Sequence, residues 1–336
     1  MRMVTGKPIA VIGAGAWGTA LADMLARNKH DVRLWVHEPE VAADIRASHR
    51  NTRFLPSVDL APALEATTTT REAVTGAEMV LYAAPSHALR AVARMSAPDV
   101  AADATLMVAT KGIEQGTLAL MTDVVAAEVR DRPVVALSGP SFALEVAQRQ
   151  PTAVVAASTD PAAAQRVQVV CSSNVFRVYT HDDVMGVELG GALKNVMAIA
   201  VGVADGLGLG YNTRAALITR GLAEIARLGT ALGAQAVTFA GLAGVGDLVL
   251  TCTGPLSRNR ALGVSIGGGK TLSEALAHRD TVAEGVPTSQ SAHALALACG
   301  VEMPIVAAVH GILFDGHTAR DAMQRLLARE LKGELG

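Results

Sequence analysis

Short apolar runs alternate with segments of helical periodicity through the first half of the chain. The runs typical of strands lie at 9–12, 31–36, 79–84, 105–109 and 134–137, with 67–70 as a further short candidate. Segments that repeat apolar residues at helical spacing lie between them at 19–27, 88–95 and 118–129. This alternation predicts an α/β fold in which helices cover a mostly parallel sheet.

The alternation ends near residue 182. Before that point, the pattern predicts a helix at 141–148, strands at 153–157 and 175–179, and a helix at 161–170. After it the period stays helical, with long candidates at 184–204, 213–232, 289–299 and 319–331, and with 206–210 as a flexible connector. A chain of 336 residues is long enough for two cores. We therefore predict a sheet domain over 1–182 and a second, mainly α-helical domain over 183–336.

Composition and charge argue against several classes of function. The net charge is −2, so the chain has no global basic field for nucleic acid or an anionic membrane surface. The N-terminus has no apolar signal core, and no run approaches the roughly 18 apolar residues of a membrane span. We therefore expect a cytoplasmic protein without an integral membrane segment. The three cysteines lack metal-ligand spacing, so reduced thiols are expected and no metal site.

The first apolar run ends in a Gly-x-Gly-x-x-Gly turn formed by Gly13, Gly15 and Gly18. In this motif the first glycine permits the bend, the second lets backbone approach a diphosphate, and the third lets the next helix pack closely. Glycine triplets also occur in ordinary turns, but here a strand precedes the triplet and a helical segment follows it. Glu38 lies 20 residues beyond Gly18, where an acidic side chain meets ribose hydroxyls. The sequence thus predicts a Rossmann-like domain that binds NAD or NADP.

Three loops that follow predicted strands carry polar residues suited to a ligand. Parallel sheets bind ligands beyond the carboxyl ends of their strands, and these loops, at 85–87, 110–112 and 138–143, lie there. Lys111 is the residue of these loops that most favours a role in the site. A lysine at a strand end is often only a solvated loop residue, but the position of Lys111 between a buried strand and Gly112 favours a functional role.

Lys194 and Asn195 interrupt the apolar helix predicted at 184–204. Gly190 and Gly191 lie one turn earlier, and each glycine costs a helix about 1 kcal/mol relative to alanine. We interpret the two glycines as space for a ligand beside Lys194, whose burial would bring its pKa toward the range useful for proton transfer. The alternative is close helix packing, with the lysine reaching out to solvent.

A third polar cluster lies at 244–260 and contains Asp247. Pro255 suits the first position of a helix, which would leave Ser257, Arg258 and Asn259 in its first turn. An arginine there opposes the helix dipole and suits a bound anion such as a phosphate. The alternative is a plain helix cap with a solvated arginine.

Taken in order, these motifs resemble the bacterial NAD(P)-dependent sn-glycerol-3-phosphate dehydrogenases from about residue 9 to about residue 327. The matching blocks are GAGAWG at 13–18, TKG at 110–112, GPSFA at 139–143, ELGGALKN at 188–195, NTRAALITRG at 212–221, GDL at 246–248, SRN at 257–259 and VAEGV at 282–286. The resemblance implies reversible reduction of dihydroxyacetone phosphate to sn-glycerol 3-phosphate, which supplies glycerophospholipid synthesis. It also implies a homodimer.

The resemblance further implies roles for individual residues. Lys194 would be the general acid/base on the C2 oxygen, with Lys111 and Asp247 as the other catalytic residues. The residues implied to surround the substrate are Lys111, Gly139, Ser141, Lys194, Asn195, Asp247, Thr251, Ser257, Arg258 and Asn259. Those implied to contact the cofactor are Gly13, Gly15, Ala16, Trp17, Gly18, His37, Lys111, Ala143, Arg258, Val282 and Glu284.

Cofactor preference stays open at this point. Many relatives carry Arg-Asp after the second strand, whereas this chain has His37 and Glu38. His37 suits a 2′-phosphate and Glu38 suits a free ribose hydroxyl. Two other functions also fit parts of the pattern: a β-hydroxyacid dehydrogenase, whose substrates carry a carboxylate, and a non-catalytic nucleotide sensor on the same fold. A sensor would not need Lys111, Lys194 and Asp247 together with Arg258.

Overall fold

An eight-stranded sheet forms the first half of the protein in the computed structural model, which describes residues 6–277, 283–331 and 333. Its strands are β1 (Ile9–Ile12), β2 (Val32–Trp35), β3 (Leu64–Thr67), β4 (Met79–Tyr82), β5 (Thr105–Val108), β6 (Val134–Ser138), β7 (Thr152–Ala157) and β8 (Phe176–His181). The order across the sheet is β3-β2-β1-β4-β5-β6-β7-β8. Every neighbouring pair is parallel except β6 and β7. The predicted mostly parallel α/β fold is confirmed.

The helices cover this sheet and then form the second half. They are α1 (Ala16–Arg27), α2 (Pro39–Ser48), α3 (Thr70–Val74), α4 (Ser86–Ser96), α5 (Met121–Glu128), α6 (Ala143–Ala147), α7 (Pro161–Cys171), α8 (Val184–Gly206), α9 (Tyr211–Ala231), α10 (Asp247–Thr253), α11 (Arg258–Gly267), α12 (Leu272–Leu276), α13 (Gly285–Ala298), α14 (Pro304–Phe314) and α15 (Ala319–Leu327). Short 3₁₀ turns lie at Ala97–Asp99 and Ala236–Ala240, and a π-helical turn at Leu242–Gly246 precedes α10.

The central strands β1, β4 and β5 are buried at every position because both of their faces are covered. Successive side chains of a strand point to opposite faces. Ile9 and Val11 of β1 therefore belong to the core that includes α1 and α2, whereas Ala10 and Ile12 belong to the core that includes α4 and α5. Such two-sided burial is typical of parallel sheets. It leaves the loops at the carboxyl ends of the strands as the place where polar side chains gather.

Helix α8 is the centre of the second half and packs against α9, α10, α11 and α13. It is long and apolar enough to span a bilayer, so the expectation that no run approaches that length was wrong. Of its 18-residue apolar window, 83% is buried inside the protein. Core packing therefore accounts for its hydrophobicity.

Several predicted boundaries were shifted by local backbone geometry. Strand β3 ends at Thr67, where 67–70 was predicted, because Thr70 already begins α3. Helix α5 begins at Met121 and not at 118, since Leu118 has a left-handed backbone with φ of 60°. Helix α8 runs on to Gly206, so the predicted connector at 206–210 is shorter. Helix α13 begins at Gly285, four residues before the predicted start, and α15 ends at Leu327 and not at 331.

Helices α8 and α11 cross so closely that their backbones touch. A Cβ at Gly263 would lie 2.2 Å from the carbonyl oxygen of Ile199, which is far inside van der Waals contact. The obstacle is backbone, so no side chain can rotate away to relieve it. The polypeptide tolerates only glycine at this crossing.

We therefore expect Gly263→Ala to lower the free energy of unfolding by about 2–3 kcal/mol, because overpacking costs that much in a close-packed core. Urea denaturation followed by circular dichroism measures it. Gly210→Ala is the matched control, since a Cβ there meets nothing within 4 Å. Equal stability of the two variants would contradict the backbone crossing.

Candidate active site

One buried carboxylate joins the two halves of the protein. Asp247 is the first residue of α10 and is fully buried. Its Oδ2 accepts a hydrogen bond from Lys111 Nζ, 2.6 Å away, and its Oδ1 accepts one from Lys194 Nζ. Lys111 follows β5 of the sheet, whereas Lys194 lies in the middle of α8. Two ammonium groups from distant parts of the sequence therefore share one carboxylate.

The glycines before Lys194 serve helix packing. A Cβ at Gly190 would lie 2.3 Å from the Ala243 carbonyl oxygen, and a Cβ at Gly191 would lie 2.5 Å from Ser138 Oγ. The interpretation that they clear space for a ligand was therefore wrong, because protein atoms fill that space. The alternative was also wrong about the lysine, since Lys194 is only 8% exposed and binds Asp247.

The backbone before α10 sets the position of Asp247. The π-helical turn at Leu242–Gly246 adds a residue relative to an α-helical turn and leads directly into Asp247. Thr251, one turn later in α10, donates its hydroxyl to the Asp247 carbonyl oxygen at 2.6 Å. The same hydroxyl lies 3.4 Å from Asp247 Oδ1. π-Turns are frequent at functional sites, and the sequence pattern gave no indication of this one.

Charge and burial set the ionisation of this cluster. Burial lowers the pKa of Lys194 to about 7, and the Lys111 charge pushes it the same way, whereas Asp247 opposes the shift. Burial alone would raise the pKa of Asp247, but the charges of Lys111 and Lys194 outweigh it and hold that pKa below its usual range. The two lysine charges therefore favour the anionic form of Asp247, whereas Lys194 is an amine that gains and loses a proton near neutral pH.

The loop after β6 borders the same cluster. Lys111 Nζ lies 3.3 Å from the Gly139 carbonyl oxygen, to which it donates its second hydrogen bond. Ser141 Oγ donates to the same carbonyl at 2.9 Å. Gly139 and Ser141 are thus next to Lys111, where the resemblance implied substrate contacts.

A chain of amides fixes how Asn195 is oriented. The Gly285 N–H donates to Asn259 Oδ1 at 3.0 Å, which identifies that side of the Asn259 amide as the acceptor. Asn259 Nδ2 therefore donates to Asn195 Oδ1, 2.9 Å away. The Asn195 amide nitrogen must then point to the other side as a donor. Residues of α8, α11 and α13 together set the polarity of this side chain.

The helix after Pro255 begins later than predicted. Helix α11 starts at Arg258, and Pro255 lies before it, so Pro255 does not occupy the first helical position. Ser257 is the N-cap, and its Oγ accepts the Arg260 N–H at 3.2 Å. Arg258 is exposed at the surface, yet the protein packed around its guanidinium lowers the pKa of that group, and the Glu284 charge opposes this shift. The cap and the arginine lie together at the start of the helix.

The glycine-rich turn has the shape that a dinucleotide needs. Gly13 has φ of +114°, and a Cβ there would lie 2.9 Å from the Ala84 backbone nitrogen. A Cβ at Gly18 would lie 1.9 Å from the Gly13 carbonyl oxygen. Gly15 caps α1 without any side chain, and the space beyond its Cα is open. Ala16 is the first residue of α1, and the Trp17 indole nitrogen is buried without a hydrogen-bond partner among the described residues. The turn therefore fits a diphosphate over the helix N-terminus.

The other residues implied to contact the cofactor come from separate elements. His37 follows β2 and is exposed, with its ring 5.9 Å from that of Trp35. Ala143 begins α6, which packs against α1. Glu284 reaches the N-terminus of α4, where it accepts the Ser86 N–H at 3.1 Å and the Ser86 hydroxyl at 2.5 Å. Val282 lies outside the described residues.

Among the contacts between the halves that were not assigned from the sequence, two involve a glutamate. One is the Glu284–Ser86 contact. The other is Glu188 of α8, which accepts the Thr122 N–H at 3.0 Å and also the Thr122 hydroxyl. Burial raises the pKa of Glu188 to about 7. A lone glutamate in an apolar helix gives no sequence signal for its partner.

Comparison with known proteins identifies the family. Models of the NAD-dependent glycerol-3-phosphate dehydrogenase N-terminus and C-terminus match residues 8–164 and 183–324. The chain is 53% identical to the glycerol-3-phosphate dehydrogenase [NAD(P)+] of Citrifermentans bemidjiense, over 98% of this chain and 99% of the relative. It is 54% identical to that of Geobacter sulfurreducens, over 97% and 98%.

Solved structures agree with this assignment. The crystal structure of glycerol-3-phosphate dehydrogenase from Coxiella burnetii matches with a TM-score of 0.93 and 42% identity, over 96% of this chain and 99% of that one. The similarity therefore extends through both halves and through the segments that carry the buried cluster. The chain belongs to the NAD-dependent glycerol-3-phosphate dehydrogenase family.

Proposed function

We propose that this protein catalyses the reversible, NAD(P)H-dependent reduction of dihydroxyacetone phosphate to sn-glycerol 3-phosphate. The observation that carries the proposal is the buried Lys111–Asp247–Lys194 cluster, which lies between the glycine-rich sheet half and the helical half. The family assignment supports the same reaction. A nucleotide sensor would have no use for a buried amine with a pKa near neutrality. The relatives in Citrifermentans bemidjiense and Geobacter sulfurreducens are glycerol-3-phosphate dehydrogenases, which favours a phosphorylated triose over a short hydroxyacid as the substrate.

Lys194 is the general acid/base in this proposal. When bound, NAD(P)H supplies a hydride to the carbonyl carbon, and negative charge then grows on the C2 oxygen. The Lys194 ammonium stabilises this charge and gives its proton to the oxygen. In the reverse direction, the neutral Lys194 amine takes the hydroxyl proton. A pKa of about 7 makes both protonation states of Lys194 available at neutral pH.

Asp247 and Lys111 set the properties of Lys194. The Asp247 carboxylate holds the Lys194 amine in place and compensates its charge when it is protonated. The Lys111 charge weakens that protonation and also attracts the anionic substrate. Asn195 adds a neutral N–H donor, whose direction is fixed through Asn259.

The start of α11 is the proposed phosphate site. Ser257, Arg258 and Asn259 lie in its cap and first turn, where backbone N–H groups and the helix dipole favour an anion. The Arg258 guanidinium can donate two parallel hydrogen bonds to phosphate oxygens. Anchoring the phosphate there orients the ketone toward Lys194. Gly139, Ser141 and Thr251 complete the proposed substrate surroundings.

The cofactor is NAD or NADP. Its proposed contacts are Gly13, Gly15, Ala16, Trp17, Gly18, His37, Lys111, Ala143, Arg258, Val282 and Glu284. His37 suits a 2′-phosphate, whereas Glu38 can accept a hydrogen bond from a free ribose hydroxyl. The pair therefore has features that suit each cofactor.

We also propose the roles of the two domains, the location and oligomeric state of the protein, and the use of its product. Residues 1–182 act as a dinucleotide-binding domain and residues 183–336 as a substrate-binding domain. This division is supported by the end of β8 at His181 and the start of α8 at Val184. The protein works in the cytoplasm as a homodimer, and its product supplies glycerophospholipid synthesis.

We expect Lys194→Met to lower kcat for dihydroxyacetone phosphate reduction by about 10³, because methionine fills the space but carries no proton. Absorbance decay of NADH and of NADPH measures the rate. Calorimetry should give a dinucleotide Kd within twofold of wild type. Turnover close to wild type would remove Lys194 from the mechanism.

The pH dependence of reduction should follow the protonation of Lys194. Reduction needs the ammonium, so kcat/KM falls as pH rises through the Lys194 pKa. Asp247→Asn removes the anion that raises this pKa, so the falling limb should move about one pH unit or more to lower pH. Asp103→Asn, at an exposed ion pair with Lys7, is the charge-matched control. A limb that stays in place, or moves to higher pH, would contradict the assigned charge coupling.

A further inference from the structure

Asn51 is a fully buried polar side chain that the mechanism above does not use. It lies in the segment between α2 and β3, and it has no exposed surface. Burying an amide costs free energy unless its polar atoms are hydrogen-bonded. Asn51 uses both ends of its amide: Oδ1 accepts the Phe54 N–H at 3.0 Å, and Nδ2 donates on the opposite side. The side chain is thus held in one orientation.

The Asn51 amide nitrogen reaches the glycine-rich turn. Asn51 Nδ2 donates to the Ala14 carbonyl oxygen at 2.8 Å and lies 2.8 Å from Thr19 Oγ1. The Thr19 hydroxyl in turn donates to the same Ala14 carbonyl at 3.1 Å. Thr19 is also fully buried. Two buried side chains, from α1 and from the segment after α2, therefore fix a single carbonyl.

Peptide geometry transmits this constraint to the outer side of the turn. The Ala14 carbonyl and the Gly15 N–H belong to one planar trans peptide, so they point in opposite directions. Holding the carbonyl toward Asn51 turns the Gly15 N–H away from the core. The space beyond Gly15 is open. A donor is therefore aimed at the side from which a diphosphate approaches.

The segment that carries Asn51 is itself held firmly. Its two ends are joined by a hydrogen bond from the Leu60 N–H to the His49 carbonyl oxygen at 2.8 Å. The Ala61 N–H donates to Asp23 of α1 at 2.6 Å, and Arg27 of α1 donates to the Asp59 carbonyl at 2.5 Å. The segment is thus tied to the same helix that the turn begins. Asn51 acts from a rigid support.

We propose that Asn51, together with Thr19, is a positioning residue for the diphosphate of the bound dinucleotide. The two side chains hold the Ala14 carbonyl toward the core and so present the Gly15 N–H to the phosphate oxygens. This inference rests on the proposed function, because it requires that the turn binds NAD(P). It assigns a binding role to a segment outside the glycine-rich motif.

Thr19→Val and Asn51→Asp test the proposal, since each keeps the shape of its side chain. Valine loses the hydroxyl that donates to Ala14, and aspartate loses both N–H donors. Each change should raise the KM for NADH and for NADPH about tenfold, as expected for a misaligned donor to a charged group. The Kd of ADP-ribose, measured by calorimetry, should rise by a similar factor. The kcat at saturating cofactor should change less than twofold.

The KM-against-kcat split separates positioning from a purely structural role. A structural defect lowers the folded fraction, and with it kcat, while KM is unchanged. Tyr82→Phe is the matched control, because it removes a buried hydrogen bond to Ser96 in the same sheet half. Thr19→Ser keeps the hydroxyl and should restore the wild-type KM. If the buried charge of Asn51→Asp prevents folding, the KM and Kd of Thr19→Val alone test the proposal.

An unchanged dinucleotide KM and ADP-ribose Kd in folded Thr19→Val would overturn the proposal. A dinucleotide KM that rises as much in Tyr82→Phe as in Thr19→Val would also overturn the proposal. Failure of the wild-type chain to bind NADH, NADPH and ADP-ribose would instead overturn the proposed function, and this inference with it.

Discussion

The double ion pair of Asp247 is the interaction on which the site depends. A single buried ammonium is costly, and removing one partner of a buried pair costs about 3–5 kcal/mol because it leaves an uncompensated charge. Asp247 makes two buried or half-buried ammonium groups tolerable. It does so unequally, because Lys194 is in the apolar core of the helical half while Lys111 is at its edge. The deeper burial of Lys194 is what brings its pKa toward neutrality.

The fold brings these charges together because helix α8 packs closely against its neighbours. Gly190 and Gly191 allow α8 to lie directly against the turn before α10 and the end of β6. Glu188 and Glu284 then tie the helical half to α5 and α4, on the sheet half. As a result, the ends of the parallel strands and the middle of α8 border the same crevice. A slip of α8 by one turn would separate Lys194 from Asp247.

The sequence predicted the sheet, the central helix and most of the clustered residues because those features have local signals. Strand periodicity, the glycine triplet and a lysine inside an apolar helix can each be recognised within a few residues. The resemblance supplied roles that no local pattern gives. The pairing of Lys111 with Asp247 depends on contacts between residues 136 positions apart, and the π-turn before Asp247 has no compositional mark.

The predictions that were wrong also depended on contacts between residues distant in sequence. The double glycine in α8 was interpreted as ligand space because the atoms that fill it are distant in sequence: the backbone of residues 243 and 244 beside Gly190, and the Ser138 side chain beside Gly191. Pro255 was placed at the start of a helix because its fixed φ suits that position, but Ser257 caps the helix with its own side chain. The Asn51 support was missed because its partners are in the glycine-rich turn, far away in sequence. Tertiary contacts decided each case.

Direct titration of Lys194 tests the account most closely. Lysine labelled with ¹³C at Cε gives a chemical shift that follows the charge of each amine, and Lys194→Met assigns the signal. We predict that Lys194 titrates near pH 7 in the wild-type protein and at higher pH in Lys111→Met, because the repelling charge is gone. Titration of Lys194 in the ordinary lysine range, unaffected by Lys111→Met, would contradict the account.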